Sequence, residues 1–413
     1  MKSLSLRQNF SWTFAGNIVY AACQWGMLVV MAKLGSPEMV GQFTLGSAVT
    51  APVIMFTNLQ LRGVQATDAK RQYLFSDYFG LRLISTGLAL LIITSITVKA
   101  GYRWDTSLCI LLIGLAKSFE SISDVIYGLI QQHERMDRIA TSLMVKGTLA
   151  LLLLGLGIYL SGSLFWGVVG LVFADGLRLI YDIRSGASIL NPISLVQPRW
   201  HWKTLKNLVW LALPLGVVMM LLSLNGNIPR YFIERYLGER ELGIFAAISY
   251  LMVVGGTVVN ALGESASPRL AKYYADGNRE AFASLLLKLV GIGALLGGVG
   301  VLIALVAGKP ILTLLYRPEY AQRADLFVWL MLVSGINYVA SFLGYGMTAA
   351  RYFRVQMPLF TLVASTSALV CFWLIPSWGL QGAVMALIIA ALVSAMFSLG
   401  VIFHAIRRIH VYQ

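Results

Sequence analysis

Charge is scarce in this chain. Of 413 residues only 12% are Asp, Glu, Lys or Arg, while 58% are hydrophobic. A soluble domain of ordinary composition carries roughly twice that charge, which excludes a water-facing globule. Cysteine is scarcer still. The three thiols, Cys23, Cys109 and Cys371, fall in apolar stretches, and an odd number so placed excludes a disulfide framework. The four histidines (His133, His201, His404 and His410) lie in connecting segments or near the C-terminal end. No Ser-His-Asp arrangement, metal-ligand spacing or phosphate-cradling glycine loop accompanies them. Neither a metal, a cofactor nor a nucleotide-driven cycle is expected, and the chain does not read as an enzyme.

What is present is a series of apolar stretches, each near the ~20 residues that cross a bilayer. They run over 10–33, 40–61, 79–98, 106–130, 139–160, 163–183, 207–229, 242–263, 284–307, 326–347, 358–375 and 381–404. Their connectors are short and leave no room for a soluble domain. The expected class is an all-α polytopic membrane protein of about 12 transmembrane helices. Lys2 and Arg7 ahead of Tyr20-Ala21-Ala22-Cys23 superficially imitate a lipoprotein signal. Tyr20 fits that site poorly and the apolar run continues, so an uncleaved first span is expected.

The net charge of +14 is mostly a topology signal. With the N-terminus inside, 22 of the 32 basic residues fall on the inner side, among them Lys2, Arg62, Lys70, Arg82 and Lys146. Nine fall outside, and Lys117 lies within a span. The positive-inside rule then places both termini in the cytoplasm. Nucleic acid is not needed to explain the charge.

The two halves repeat each other. Leu34-Gly35-Ser36-Pro37 through Gly41-Gln42-Phe43 returns as Leu237-Gly238 through Gly243-Ile244-Phe245. Asn58 and Asn260 follow these motifs at equal distance. Tyr127-Gly128 matches Tyr345-Gly346, and Gly167 to Gly170 matches Gly379 to Gly382. The order of landmarks predicts two six-helix lobes, 1–184 and 207–413, joined by a cytoplasmic connector over 185–206 broken by Pro192 and Pro198. A duplicated bundle is the architecture of an alternating-access transporter.

Ionisable and amide groups within spans are costly and mark candidate sites. Lys117, Glu120 and Asp124, spaced i, i+3, i+7, share one helix face. Two acids and one base there could exchange protons or bind a cation, or Lys117 and Glu120 could form a structural pair. Asp124 has no obvious local partner and is the stronger coupling candidate. Asp175, Arg178 and Asp182 repeat the spacing in the sixth stretch, where a structural reading is favoured. Asn17 and Gln24 share a face of the first stretch. Its counterpart, the seventh, carries Pro214, Asn225, Asn227, Pro229 and Arg230, a run expected to bend or loosen the helix. Asn58 with Arg62, and Asn260 with Glu264, end the second and eighth stretches. Arg62 could meet an anionic headgroup, since guanidinium suits phosphate. Arg230 could do the same at the other side, or pair with Glu234.

Several of these segments resemble a known family. Asn9-Phe-Ser-Trp-Thr-Phe-Ala-Gly-Asn17, Leu34-Gly-Ser-Pro37, Asn58-Leu-Gln-Leu-Arg62, Arg317-Pro-Glu-Tyr320, Tyr345-Gly-Met-Thr-Ala-Ala-Arg351 and Gly379-Leu-Gln-Gly-Ala383 are similar to the polysaccharide transporter family. Its members include the Wzx-type O-antigen flippases, grouped with the multidrug and toxin extruders. The resemblance spans nearly the whole chain and implies a V of two lobes, with helices one, two, seven and eight lining the cleft. It also implies a substrate, an oligosaccharide on undecaprenyl diphosphate, moved from the inner to the outer leaflet of a bacterial cytoplasmic membrane.

Within that frame Glu120 and Asp124 are candidates for coupling to H+ or Na+, as in an antiporter. Arg62 and Lys117 are candidates for the diphosphate, and Asn17, Gln24, Asn58, Asn225, Asn227 and Asn260 for sugar hydroxyls; Arg230 and Glu264 flank the route. Partners are the lipid-linked substrate, membrane lipid and polysaccharide assembly proteins. A diphosphate calls for a cationic cavity, yet Lys117 stands as the main mid-membrane cation. Rivals are a drug or metabolite exporter of the same fold, a non-transporting scaffold, and a membrane glycan polymerase. The last would need an outer-face carboxylate such as Glu319 or Asp325.

Overall fold

The computed structural model describes residues 4–68, 71–190 and 197–408, and among them every regular element is helical. Lys2, Lys70, Pro192 and His410 lie outside the described residues. The helices are α1 (Leu6–Leu34), α2 (Pro37–Asn58), α3 (Leu61–Thr67), α4 (Phe75–Ala100), α5 (Trp104–Gln132), α6 (Met136–Ser161) and α7 (Leu164–Ala187). They continue as α8 (Trp202–Leu237), α9 (Glu239–Tyr250), α10 (Met252–Ala275), α11 (Arg279–Leu315), α12 (Pro318–Ala321), α13 (Ala324–Ala349) and α14 (Phe353–Arg408). In hydrocarbon a backbone must satisfy its own hydrogen bonds, which leaves apolar runs of this length little choice but the helix.

Nine described helices are long and apolar enough to cross a membrane, ten if the α9–α10 pair, bent by 40°, is one span. α14 breaks at Gly379, whose φ of 57° is open to glycine but strained for other residues. It therefore supplies two crossings joined by almost no loop. α5 has 29 residues and is also long enough to cross, although Lys117, Glu120 and Asp124 interrupt its apolar character. With these the span pattern matches the expected fold class.

The repeated Leu-Gly motifs turn out to be helix junctions, between α1 and α2 and between α8 and α9, whereas Asn260 and Glu264 end no helix and lie inside α10. In Leu34-Gly35-Ser36-Pro37, Gly35 closes α1 by donating its N–H to Met31 at 2.9 Å. The Ser36 hydroxyl then caps α2 by accepting from the Met39 N–H, with Pro37 in the first turn where no donor is missed. At Asn58-Leu-Gln-Leu-Arg62, two successive residues, Leu59 and Gln60, both adopt φ of 51°. Left-handed non-glycine backbone costs roughly 1–2 kcal/mol per residue. This paired turn ends α2 and starts α3, so Asn58 and Arg62 approach α5 from different helices.

The chain divides into two compact units, Met1–Ser223 and Leu224–Gln413. The sequence places the second lobe from 207, whereas this division falls inside α8. The reason is packing. Leu205, Leu208 and Ala212 from the first turns of α8 join a core with Leu61, Tyr78, Leu81 and Val125. The Arg199 N–H also donates to the Ser76 carbonyl at 3.0 Å, holding the end of the connector to α4. α8 is helical through Pro214 and Pro229. Carbonyls freed by proline can be tolerated in membrane helices that have other partners nearby.

In the first unit α1 packs on α6, α6 on α7, and α7 on α5, while α5 also packs against α2, α3 and α4. A helix so enclosed has little lipid-facing surface, which is why it can carry charges near its middle. In the second unit α13 packs similarly against α10, α11 and α14. Its only ionisable Asp, Glu, Lys or Arg is Asp325 in the first turn. Among the described residues, the buried Asp, Lys and Arg side chains all fall in the first unit.

α11 and α13 approach where Gly297 faces Gly335, and a Cβ on Gly297 would collide with the Gly335 backbone. Because the obstacle is backbone, Gly297→Val is expected to lower stability by about 1–3 kcal/mol. Thermal unfolding of the purified protein in detergent measures this. An unchanged midpoint would mean the two helices do not depend on this contact.

Candidate functional site

The densest polar constellation lies within the first unit and is organised by α5. Glu120 is held by two cations: Lys117 Nζ at 2.7 Å, one helical turn away, and Lys146 Nζ of α6 at 2.8 Å. Asp124, the next turn along, is also held by two: Arg82 Nη2 of α4 at 3.1 Å and Arg62 Nη1 of α3 at 3.8 Å. Each carboxylate thus has one buried cation and one partly exposed cation. The Lys146 and Arg82 side chains are 5% and 0% exposed, against 36% for Lys117 and 32% for Arg62. An unpaired charge in so apolar a setting would cost several kcal/mol, which accounts for the close pairing.

A cavity of about 290 Å³ opens against this cluster. Lys117, Glu120, Asp124, Asn58 and Gln60 form its polar wall, and residues such as Met55 and Met219 its apolar wall. Asn58 accepts a hydrogen bond from Arg82 through its side-chain oxygen. Arg62 donates from Nε to Gln131 Oε1 at 3.1 Å and lies over the Tyr127 ring, 5.3 Å from its centroid.

Behind the cavity α7 contributes a second layer. Arg178 lies 3.3 Å from Asp175 and 3.8 Å from Asp182, all three nearly inaccessible. Arg178 Nη1 donates to the Tyr127 hydroxyl at 3.3 Å, which shares a 2.6 Å hydrogen bond with Ser142. Lys146 connects the layers, lying 3.9 Å from Asp175 and 4.9 Å from the Tyr20 ring centroid. The Tyr20 hydroxyl in turn accepts from Gln24 Nε2 at 2.6 Å.

Of the residues singled out in the sequence, Asn58, Lys117, Glu120 and Asp124 come together at the cavity, with Arg62 beside it. Gln24 reaches the cluster only through Tyr20. Asn17 is exposed on α1. The others belong to the second unit. There Asn225 donates to the Phe360 carbonyl at 3.3 Å, and Arg230 donates to Asn227 at 2.9 Å. The Tyr345 hydroxyl contacts Asn260 at 3.5 Å. Glu264 is exposed. Glu319, a candidate carboxylate for the polymerase reading, is paired with Arg240 at 2.8 Å.

Three expectations change. The excess of acid on the α5 stripe is offset, because Lys146 and Arg82 face it from neighbouring helices. Asp124 does have partners, both contributed from outside its own helix. Lys117 is not the main cation of the apolar region, since Arg82, Lys146 and Arg178 are buried there too. Counting Arg82 and Lys146 as topology signals concealed them. Both fall inside the stretches 79–98 and 139–160, and that position was the signal that could have revealed them.

The site is thus a cavity bounded by paired charges and amides, and sequence comparison shows to which family the chain belongs. A family model described as "Polysaccharide biosynthesis protein" matches residues 6–274. The capsular polysaccharide biosynthesis protein CapF of Staphylococcus aureus is 30% identical over 393 residues, covering 94% of this chain and 96% of the relative. The chain belongs to the polysaccharide biosynthesis protein family. Among solved structures, an inward-facing multidrug-resistance transporter of the MATE family has a TM-score of 0.70 at 13% identity, over 97% of this chain and 98% of that one. The lipid II flippase MurJ, in an inward closed conformation, has a TM-score of 0.67 at 13% identity, over 97% and 90%. At such identities these two likenesses establish the fold. The family member described above is thus a multi-pass membrane protein with a MATE-like fold.

Proposed function

We propose that this protein is a flippase that moves polyprenyl-diphosphate-linked oligosaccharide from the inner to the outer leaflet of a bacterial cytoplasmic membrane. Alternating access is the proposed mechanism, and both termini lie in the cytoplasm. The exported units serve a surface polysaccharide: capsule, exopolysaccharide or the O-antigen of lipopolysaccharide. The observation that carries the reading is membership of a polysaccharide biosynthesis family together with a cavity lined by amides, a lysine and two carboxylates. Lys117 and Arg62 contact the diphosphate, and Asn58 and Gln60 meet sugar hydroxyls. Drive by a proton or sodium gradient belongs to the same proposal. A proton or Na+ reaching Glu120 or Asp124 would compete with the cations those acids hold.

The test is the leaflet distribution of lipid-linked oligosaccharide, read by membrane-impermeant labelling of spheroplasts with and without the gene. Accumulation on the inner leaflet only in the gene's absence is the expected result. An unchanged distribution overturns the reading and moves attention to export of smaller solutes. Reconstituted flipping that ignores pH, sodium and membrane potential would overturn the gradient drive alone.

A further inference from the structure

Lys146 and Arg82 have no role in the reading above, and neither lines the cavity. Their placement is nevertheless parallel. Each comes from a helix packed against α5, each is almost wholly buried, and each shares its carboxylate with a cation that is about one-third exposed. Lys146–Glu120–Lys117 and Arg82–Asp124–Arg62 are two copies of one device, a turn apart on α5.

We propose that Lys146 and Arg82 are positioning residues that keep Glu120 and Asp124 paired when Lys117 and Arg62 leave them for a diphosphate anion. The inference deepens the flippase reading and rests on it. A single Lys–Glu pair could not work this way. Moving Lys117 to a ligand would strand Glu120 in an apolar interior, a cost that would cancel the new contact. With Lys146 at 2.8 Å, Glu120 stays compensated, and Arg82 at 3.1 Å does the same for Asp124. The partly exposed cations can turn toward a ligand, Arg62 by also giving up its hydrogen bond to Gln131, and the buried ones cannot.

Charge counting agrees. Lys117, Lys146, Arg62 and Arg82 against Glu120 and Asp124 leave two positive charges in surplus in the cluster around the two acids. A diphosphate esterified at both ends carries two negative charges. The α7 layer of Asp175, Arg178 and Asp182 is net negative by one and touches this set through Lys146, 3.9 Å from Asp175. That contact pulls Lys146 away from the cavity and helps hold it in the buried role.

Glu120 and Asp124 then compete with the ligand for its cations, which gives a prediction opposite in sign to ordinary charge removal. Binding of farnesyl diphospho-N-acetylglucosamine to the purified full chain in nanodiscs is measured beside farnesyl monophosphate and inorganic pyrophosphate. Glu120→Gln is expected to bind the diphosphate about three- to tenfold tighter, because Lys117 no longer has a competitor. Lys146→Gln is expected to bind it weaker by a similar factor, since Glu120 then recaptures Lys117. The double variant Glu120→Gln/Lys146→Gln is expected to recover wild-type affinity or better. A merely structural Lys146 would give no such rescue.

Unchanged or weaker binding by Glu120→Gln overturns the proposal, as does a double variant that stays weak. Should Lys146→Gln fail to fold, Glu120→Gln and Asp124→Asn, both at partly exposed acids, still decide the sign. An equal response to pyrophosphate assigns the device to free diphosphate, and a stronger response to the farnesyl ester assigns it to the lipid headgroup. The leaflet assay keeps the two readings apart. Flipping without the Glu120→Gln signature removes only the positioning role of Lys146 and Arg82, whereas the signature without flipping removes only the flippase.

Discussion

Arg178→Met is expected to destabilise the first unit by about 3–5 kcal/mol, the usual cost of removing one partner from a buried charge set. Arg178 is the cation between Asp175 and Asp182, at 3.3 and 3.8 Å, and both acids are almost inaccessible. Methionine matches the volume of the side chain and cannot answer either charge. Asp175 would keep a distant hold on Lys146 at 3.9 Å, but sharing that lysine weakens its pairing with Glu120. The triple variant Arg178→Met/Asp175→Asn/Asp182→Asn should recover most of the loss, because the buried charges are then gone altogether. Thermal unfolding in detergent and the yield of monodisperse protein measure both effects. If the single variant melts like wild type, the α7 layer is not an ion network that the fold depends on.

The largest expected effect on transport comes from Lys117→Gln combined with Arg62→Gln. Charge-assisted hydrogen bonds are worth about 1.5–3 kcal/mol each, so loss of two predicts flipping lower by about a hundredfold or more. Stability should change by less than about 1 kcal/mol, because Lys146 and Arg82 still hold Glu120 and Asp124 and the altered side chains are partly exposed. Leaflet labelling and a melting curve on the same preparation separate the two outcomes. Loss of flipping with a normal melt supports the assignment, and retained flipping refutes it.

The spans were legible in the sequence because hydrocarbon imposes them locally, twenty apolar residues at a time. The Gly-Ser-Pro motif was legible as a boundary for a similarly local reason, since its capping bonds reach only three or four residues. In α8, Pro214 and Pro229 call locally for a bend or a loosened turn, and the helix continues through both. The boundary between units was equally hidden, because Leu205, Leu208 and Ala212 are apolar residues that could pack on either half. Within the site, Lys117, Glu120 and Asp124 could be grouped from their spacing alone. Arg82 looked like a topology signal at the end of a stretch, and its side chain turned inward instead of toward the membrane surface.

The sequence by itself determined that this is an all-helical membrane protein with a duplicated scaffold, and that one face of α5 carries three charges. Those properties follow from composition and from the helical period, which act over a turn or a span. Only the tertiary structure decided that cations from neighbouring helices offset the acid excess of the stripe, that each acid holds one buried and one partly exposed cation, and that the buried charges among the described residues fall in the first unit. Arg62, Arg82 and Lys146 reach α5 from three other helices. Which charges meet across helices is set by the order in which the helices pack, and no local period in the chain records that order.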